Sequence, residues 1–150
     1  MEKIKWECKH FNDLTVLEYH NILFLRTKVF VVEQNCPYQE IDEKDKVAHH
    51  LFGLNQDNEV VAVTRILPQH ISYNEVSIGR VAIKKIARGT GLAHELMLES
   101  FAVVEKLFGK QPIRISAQQY LVNYYSKHGF KPIGEMYLED DIPHVEMLKT

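Results

Sequence analysis

Cysteine is scarce in this chain: Cys8 and Cys36 are the only two among 150 residues. Two cysteines cannot build a disulfide framework, and this spacing fits neither a zinc site nor a C-x-x-C redox pair. They read as free thiols of a reducing compartment. No apolar run approaches the roughly 18 residues that a membrane-spanning helix needs. The opening stretch Met1-Glu2-Lys3-Ile4-Lys5-Trp6 lacks the apolar core of a signal peptide. The expectation is a cytoplasmic protein with no membrane association. An excess of one charge is missing too: 18 Lys and Arg face 20 Asp and Glu, a formal net charge of -2. That balance argues against nucleic acid as a partner, since such domains usually carry a basic face. The acidic cluster Glu139-Asp140-Asp141 is short. Repeats, low-complexity stretches and linkers are absent, so residues 1–150 read as one domain with one core. His49 and His50 are adjacent, and neighbours on a strand point to opposite faces, so no metal site is expected.

What is present is a succession of strand and helix patterns. Weak alternation over Lys3–His10 reads as a first strand. Thr15 stands three residues before Glu18, a capping-box spacing. Apolar residues from Leu14 to Val29 then recur at helical intervals, predicting a helix over about Thr15–Val31. Asn35–Val47 shows no clean period and reads as a loop with a short turn of helix. His49–Leu54 and Val60–Leu67 read as a hairpin across Gln56-Asp57-Asn58, with Pro68 ending its second strand. Glu75–Lys84 is a Val/Ile-rich strand. A glycine-rich turn follows it, then an amphipathic helix whose face is marked by Leu92, Leu96, Ser100, Phe101, Val104 and Phe108. Gly109 suits its end. Pro112–Ala117 reads as a strand and Tyr120–His128 as a short helix stopped by Gly129. Lys131–Leu138 and Val145–Lys149 read as closing strands. The order is a mixed α/β (α+β) arrangement, not the regular alternation of a barrel.

The segment with chemical content is Arg88-Gly89-Thr90-Gly91-Leu92-Ala93. It leaves a strand and opens a helix. Two glycines permit a tight turn and a close approach to a ligand. The first N–H groups of a helix lack internal partners and lie at the positive end of its dipole. Such a junction favours phosphate or pyrophosphate. It lacks the Lys-Ser/Thr ending of a P-loop and the G-x-G-x-x-G order of a dinucleotide fingerprint. From the loop alone, a glycine turn that merely starts a helix is an equal reading.

The R-x-x-G-x-A pattern after a V-x-I strand (Val81, Ile83) resembles the coenzyme A motif of the GNAT acetyltransferase superfamily. Tyr125-Ser126-Lys127-His128-Gly129-Phe130 resembles that superfamily's late Y-x-x-x-G-F motif. The chain is more closely similar to the ElaA-like branch. Leu25-Arg26, Val29-Phe30-Val31-Val32-Glu33-Gln34, Cys36-Pro37-Tyr38, Glu40, Asp42, Asp45 and His50 carry that likeness. So do Ile78-Gly79-Arg80-Val81, Ala117-Gln118 and Glu139-Asp140-x-Ile142-Pro143-His144. One departure is Asp141, where glycine is common before Ile-Pro-His.

The resemblance implies a GNAT-like domain: a central, mixed, mostly antiparallel twisted sheet flanked by helices. It implies an acyl-CoA-dependent N-acyltransferase with acetyl-CoA as cosubstrate and a primary amine attacking directly in a ternary complex. Backbone N–H groups of Gly89, Thr90, Gly91, Leu92 and Ala93 would hold the pyrophosphate, with Arg88 beside it. Val81, Ala82 and Ile83 would meet the pantetheine arm as an added strand. Gln118 would lie near that arm. Tyr125 is the matching position for the general acid that protonates the leaving thiolate; the residue-level alternative is a core tyrosine. For the base, Glu33 is the first candidate and His144 the second. A carboxylate ending a helix is unfavourable unless it has a task or a partner, and a histidine titrates in the useful range. Arg26 and Arg80 are read as internal ion pairs with Glu33, Asp42 or Asp45 rather than as anchors for an acidic substrate. The acceptor could be a small-molecule amine or a protein amine, and the likeness admits a homodimer. Two other readings stay open. One is an acyl-homoserine-lactone-synthase-like enzyme, which the order Arg26, Phe30, Glu40, Asp42, Asp45 loosely resembles. The other is a non-catalytic coenzyme A-binding module.

Overall fold

Thr15 caps the first helix as its spacing predicts. In the computed structural model, which describes residues 3–150, its hydroxyl accepts from the Glu18 N–H (3.0 Å) and the Glu18 carboxylate accepts from the Thr15 N–H (2.9 Å). Helix α1 spans Val16–Thr27. It does not stop at Val31: a π-helical turn continues over Lys28–Glu33. The Thr27 hydroxyl donates back to the Leu23 carbonyl, a bond that competes with regular helical pairing, and the winding widens directly after it. The other helices are α2 (Leu92–Phe108) and α3 (Val122–Ser126). The expected helix over Tyr120–His128 is thus shorter, entered through a 3-10 turn at Gln119–Leu121.

The strands are β1 (Lys5–His10), β2 (His49–Leu54), β3 (Val60–Leu67), β4 (Val76–Ile83), β5 (Ile113–Gln118), β6 (Lys131–Glu139) and β7 (Ile142–Lys149). They form one sheet in the order β1-β2-β3-β4-β5-β7-β6. Every pairing is antiparallel except β4 with β5. The final strand begins at Ile142, three residues before the Val145 expected. Asp140 and Asp141, with φ of 50° and 63°, form a two-residue turn whose twist suits a tight hairpin, so Ile142 already pairs with Glu139. Pro143 lies beyond the last β5 partner of β7, Gln118 opposite His144, where its missing N–H breaks no second ladder.

Apolar side chains fill both faces of the sheet. Leu96, Met97 and Val104 of α2 pack on one face with Ile66, Ile78 and Met147. Ile22 and Leu25 of α1 and Val29 of the π turn pack on the other with Phe52, Val63 and Ala82. β3 is consequently buried along its whole length.

Regular pairing breaks down on both sides of β4. β4 and β5 are in register at only two pairs, Val76 with Ile113 and Ser77 with Arg114. Beyond those pairs the strands diverge. On its other side β4 carries an extra residue: Gly79 faces Arg65 and Ala82 faces Val63. Arg80, at φ 50°, occupies this bulge in the left-handed region, which a non-glycine residue enters at a cost.

Candidate active site

The gap left by the parting of β4 and β5 is a cleft. Gly79, Arg80 and Val81 line one wall, and Ser116 and Gln118 line the other. β5 alternates buried Ile113, Ile115 and Ala117 with partly exposed Arg114, Ser116 and Gln118, so period two delivers the polar set to one face. Cross-strand register extends that face: Gln118 is opposite His144, and His144 is opposite Tyr137. The Tyr137 ring stacks on His144, and its hydroxyl bonds Ser116. Gln34, one residue past the π turn, reaches over the cleft to accept from Gln118 Nε2 at 3.4 Å.

Tyr125 of α3 closes the floor. It is 7% exposed and packs edge-on against Tyr124 and Phe130. Its hydroxyl has no hydrogen-bond partner among the described residues, although the ring lines the cleft. Burial, followed by the neighbouring Tyr124 and Tyr120, pushes its phenol well above the ordinary tyrosine value. The group therefore holds its proton.

His144 is also buried and lines the cleft. Its Nδ1 lies 2.7 Å from the Ile142 carbonyl. A carbonyl oxygen can only accept, so Nδ1 carries the hydrogen and Nε2 of the neutral ring keeps its lone pair. Glu139 Oε2 stands 3.5 Å from that Nε2.

At the far end of β4 lies the glycine loop. Gly89 and Gly91 have φ of 79° and 85°, conformations that L side chains adopt only under strain. A Cβ at either position would meet nothing within 4 Å. Backbone conformation, not crowding, is what calls for glycine in this free protein. Gly91 is the N-cap of α2 and no side chain caps that end. The Glu95 N–H bonds the Gly91 carbonyl, so the N–H groups of Leu92, Ala93 and His94 precede the first helical bond and are free for an anion. Leu92 anchors the turn in the core, and the Tyr124 hydroxyl donates to the Ala93 carbonyl at 2.9 Å. Thr90 donates its hydroxyl to the Ala87 carbonyl. An uncapped helix end, two left-handed glycines and an open strand edge fit a coenzyme A thioester. The Ala82 side chain is buried under α1, which leaves only its backbone to meet a ligand.

The structure thus brings Tyr125, His144, Gln118 and Val81 together, with the loop Arg88–Ala93 at the end of the same strand. Glu33 is not in that group. Its carboxylate pairs with Arg88 Nη2 at 2.7 Å, and it is not among the cleft-lining residues, although the next residue, Gln34, is.

A charge network adjoins the cleft through Arg80. Arg26 Nε meets Glu40 at 2.9 Å and its Nη1 meets Asp45 at 3.0 Å. Arg65 Nη1 lies 2.6 Å from Asp42 and 2.9 Å from Asp45. Arg80 Nε lies 2.7 Å from Glu40, attractive but misaligned for a hydrogen bond, and its Nη2 lies 3.3 Å from Asp42. Tyr19 donates to Asp45 at 2.6 Å. Burial alone would raise the Asp45 pKa; Arg26 and the bonds from Tyr19 and Arg65 outweigh it and hold the carboxyl below its usual range. Arg26 and Arg80 are internally paired, as read from the sequence, but Glu40 is the partner that the sequence did not reveal and Glu33 is not one. Gln34, Cys36 and Tyr38 were also unassigned; all three reach the cleft from a segment without period.

The family pattern described as Acetyltransferase (GNAT) domain matches residues 14–150. The chain belongs to the GNAT acetyltransferase family. It is 38% identical over 148 residues to protein ElaA of Escherichia coli (strain K12), covering 97% of this chain and 96% of that one. The crystal structure of E. coli ElaA superposes with a TM-score of 0.91 at 37% identity, covering 99% of this chain and 100% of that one. An acyl-CoA N-acyltransferase from Pseudomonas aeruginosa superposes at 0.94 with 45% identity and the same coverage. The AHL synthase LasI matches at 0.77 with 13% identity, covering 99% of this chain and 90% of that one, a likeness of fold alone. GNAT membership implies N-acyltransferase activity and a coenzyme A thioester cosubstrate. No helix among the described residues is long and apolar enough to cross a membrane.

Proposed function

We propose that the protein transfers an acetyl group from acetyl-CoA to a primary amine, by direct attack with both substrates bound. One observation carries this reading: Tyr125 of α3, whose hydroxyl has no partner among the described residues, lines the gap between β4 and β5, and β4 leads into the uncapped end of α2. The thioester supplies an activated acyl group. The chain's residues position it and manage two protons. The β4 edge beyond Ser77 aligns the pantetheine arm as strand addition would, and the loop Gly89–Ala93 holds the pyrophosphate.

An alkylamine with a pKa near 10 is mostly protonated at neutral pH and must lose a proton to attack. His144 is the better-placed base of the two candidates, because it lines the cleft while Glu33 pairs with Arg88 and is not among the lining residues. Glu139 stabilises the imidazolium that results. Tyr125, kept protonated by burial, delivers the proton to the leaving sulfur.

Calorimetric titration with acetyl-CoA tests the coenzyme half, and release of free coenzyme thiol on adding amines tests the chemistry. Micromolar binding with amine-dependent thiol release is expected. Absence of binding would reduce the site to a glycine turn, and turnover with long-chain donors alone would favour the acyl-homoserine-lactone-synthase-like reading.

A further inference from the structure

The cleft also bears on which amine it takes, given the transferase reading. Its charged lining residues besides His144 are Arg80, Glu139 and Asp140. Arg80 is not available to a ligand as net charge. With Arg26 and Arg65 it belongs to a group of three guanidiniums bound to three carboxylates, Glu40, Asp42 and Asp45. It also bonds the Glu40 carbonyl at 2.9 Å and lies over the Tyr38 ring. That set sums to zero. What remains uncompensated is a pair of carboxylates at the β6–β7 turn, Glu139 and Asp140. Glu139 is beside His144, and the Asp140 carbonyl faces the Cys36 thiol at 3.6 Å, which ties the turn to the opposite rim. Tyr125 lines the same cleft, and its hydroxyl, without a partner among the described residues, is left open to a polar ligand.

We propose that the acceptor is an amine bearing a second positive charge, of the diamine or polyamine class. Its reacting nitrogen meets His144 while Glu139 and Asp140 hold the distal ammonium. An acceptor with a carboxylate in that place meets like charge.

Three four-carbon amines differing only at the far end test this: 1,4-diaminobutane, 1-aminobutane and 4-aminobutanoate, each at saturating acetyl-CoA. The expected order of kcat/KM is diamine, then monoamine, then amino acid. Beyond the factor of two for its two equivalent nitrogens, the diamine should lead by roughly tenfold, the scale of two partly screened ion pairs, and that lead should shrink with salt. Glu139→Gln with Asp140→Asn should bring the diamine-to-monoamine ratio towards one. Asparagine tolerates the left-handed backbone at 140 as aspartate does, so the turn survives, and acetyl-CoA affinity measured on the same variant checks that the coenzyme site is intact. Equal or reversed preference in a protein that binds acetyl-CoA and acetylates the monoamine overturns this inference and leaves the transferase reading standing. Failure to bind acetyl-CoA, or to acetylate any of the three, overturns both.

Discussion

Removing the Tyr125 hydroxyl separates stability from chemistry, because in the free protein that group bonds nothing among the described residues. Tyr125→Phe keeps the ring against Tyr124 and Phe130. Folding stability should stay within about 0.5 kcal/mol of the wild type, while kcat for acetyl transfer falls by about 10²–10⁴, the range of a lost general acid. Melting curves and steady-state kinetics on one preparation decide it; a destabilised variant that keeps its kcat would return Tyr125 to the core. Since burial raises this phenol above its ordinary value of 10.0, its ionisation should impose no falling limb on the kcat profile below pH 10. Gly91→Ala makes the complementary case. At φ 85° the new methyl meets no atom within 4 Å, so the cost to the free protein is backbone strain alone, about 1–2 kcal/mol. The methyl projects where a bound phosphate must approach, and acetyl-CoA affinity should drop at least tenfold in titration. Loss of stability without loss of affinity would mean that the loop does not hold the coenzyme.

The buried ion network makes the segment between the π turn and β2 an element in its own right. Arg26 is 1% exposed and binds two carboxylates from that segment, Glu40 and Asp45. Arg26→Met should leave Glu40, Asp42 and Asp45 with only Arg65 and Arg80 as cationic partners, one negative charge in excess in a buried network, and cost about 3–5 kcal/mol. Denaturant unfolding measures that cost, and hydrogen exchange should show amides of residues 34–47 opening before those of the sheet; a change under 1 kcal/mol would mean that water already reaches the network. Such an element is hard to read from sequence. That Arg26 and Arg80 are paired was legible from their residue type, since a buried guanidinium needs an anion, but which anions they meet depends on how an aperiodic stretch folds over the sheet. The π turn was hidden for a different reason: Val29-Phe30-Val31-Val32 is apolar at every position, so no periodicity distinguishes wide winding from regular helix. The capping box at Thr15 was legible because it is wholly local. The turn at Asp140-Asp141 was not, because aspartate enters left-handed backbone without the signal that Asn-Gly would give.

Across the whole molecule, the strand succession and the glycine junction were readable, whereas the parting of β4 and β5 was not. It follows from a parallel contact of only two pairs, and no residue in either strand announces it. Ionisable groups also sit deep in the fold, in the cleft and outside it, and their titration sets a pH window for stability. Burial pushes Tyr38, Tyr73 and Tyr124 each up to about 12, and Tyr19 and Tyr125 higher. A group whose native pKa is raised contributes its stability below its unfolded value and loses it as pH climbs to the native value. Here the unfolded chain begins to shed tyrosine protons near 10.0 while the native state keeps them, so stability should fall steadily above pH 10. The acid side has the opposite sign. Burial lowers the His50 pKa from 6.5, against its bond to the Asp45 carbonyl, and burial lowers that of His49 too. Below pH 6.5 the unfolded chain takes up protons that the native histidines refuse, and stability declines. Asp45, held below 3.8, adds a further loss once pH drops past that value. Urea midpoints recorded from pH 4 to pH 11 should therefore form a plateau between about 6.5 and 10 with a shoulder on each side. His50→Gln should flatten the upper part of the acid shoulder while lowering the plateau itself, because the buried bond to Asp45 is altered. An acid shoulder unchanged in that variant, or midpoints level through pH 11, would show that water reaches these rings in the native state.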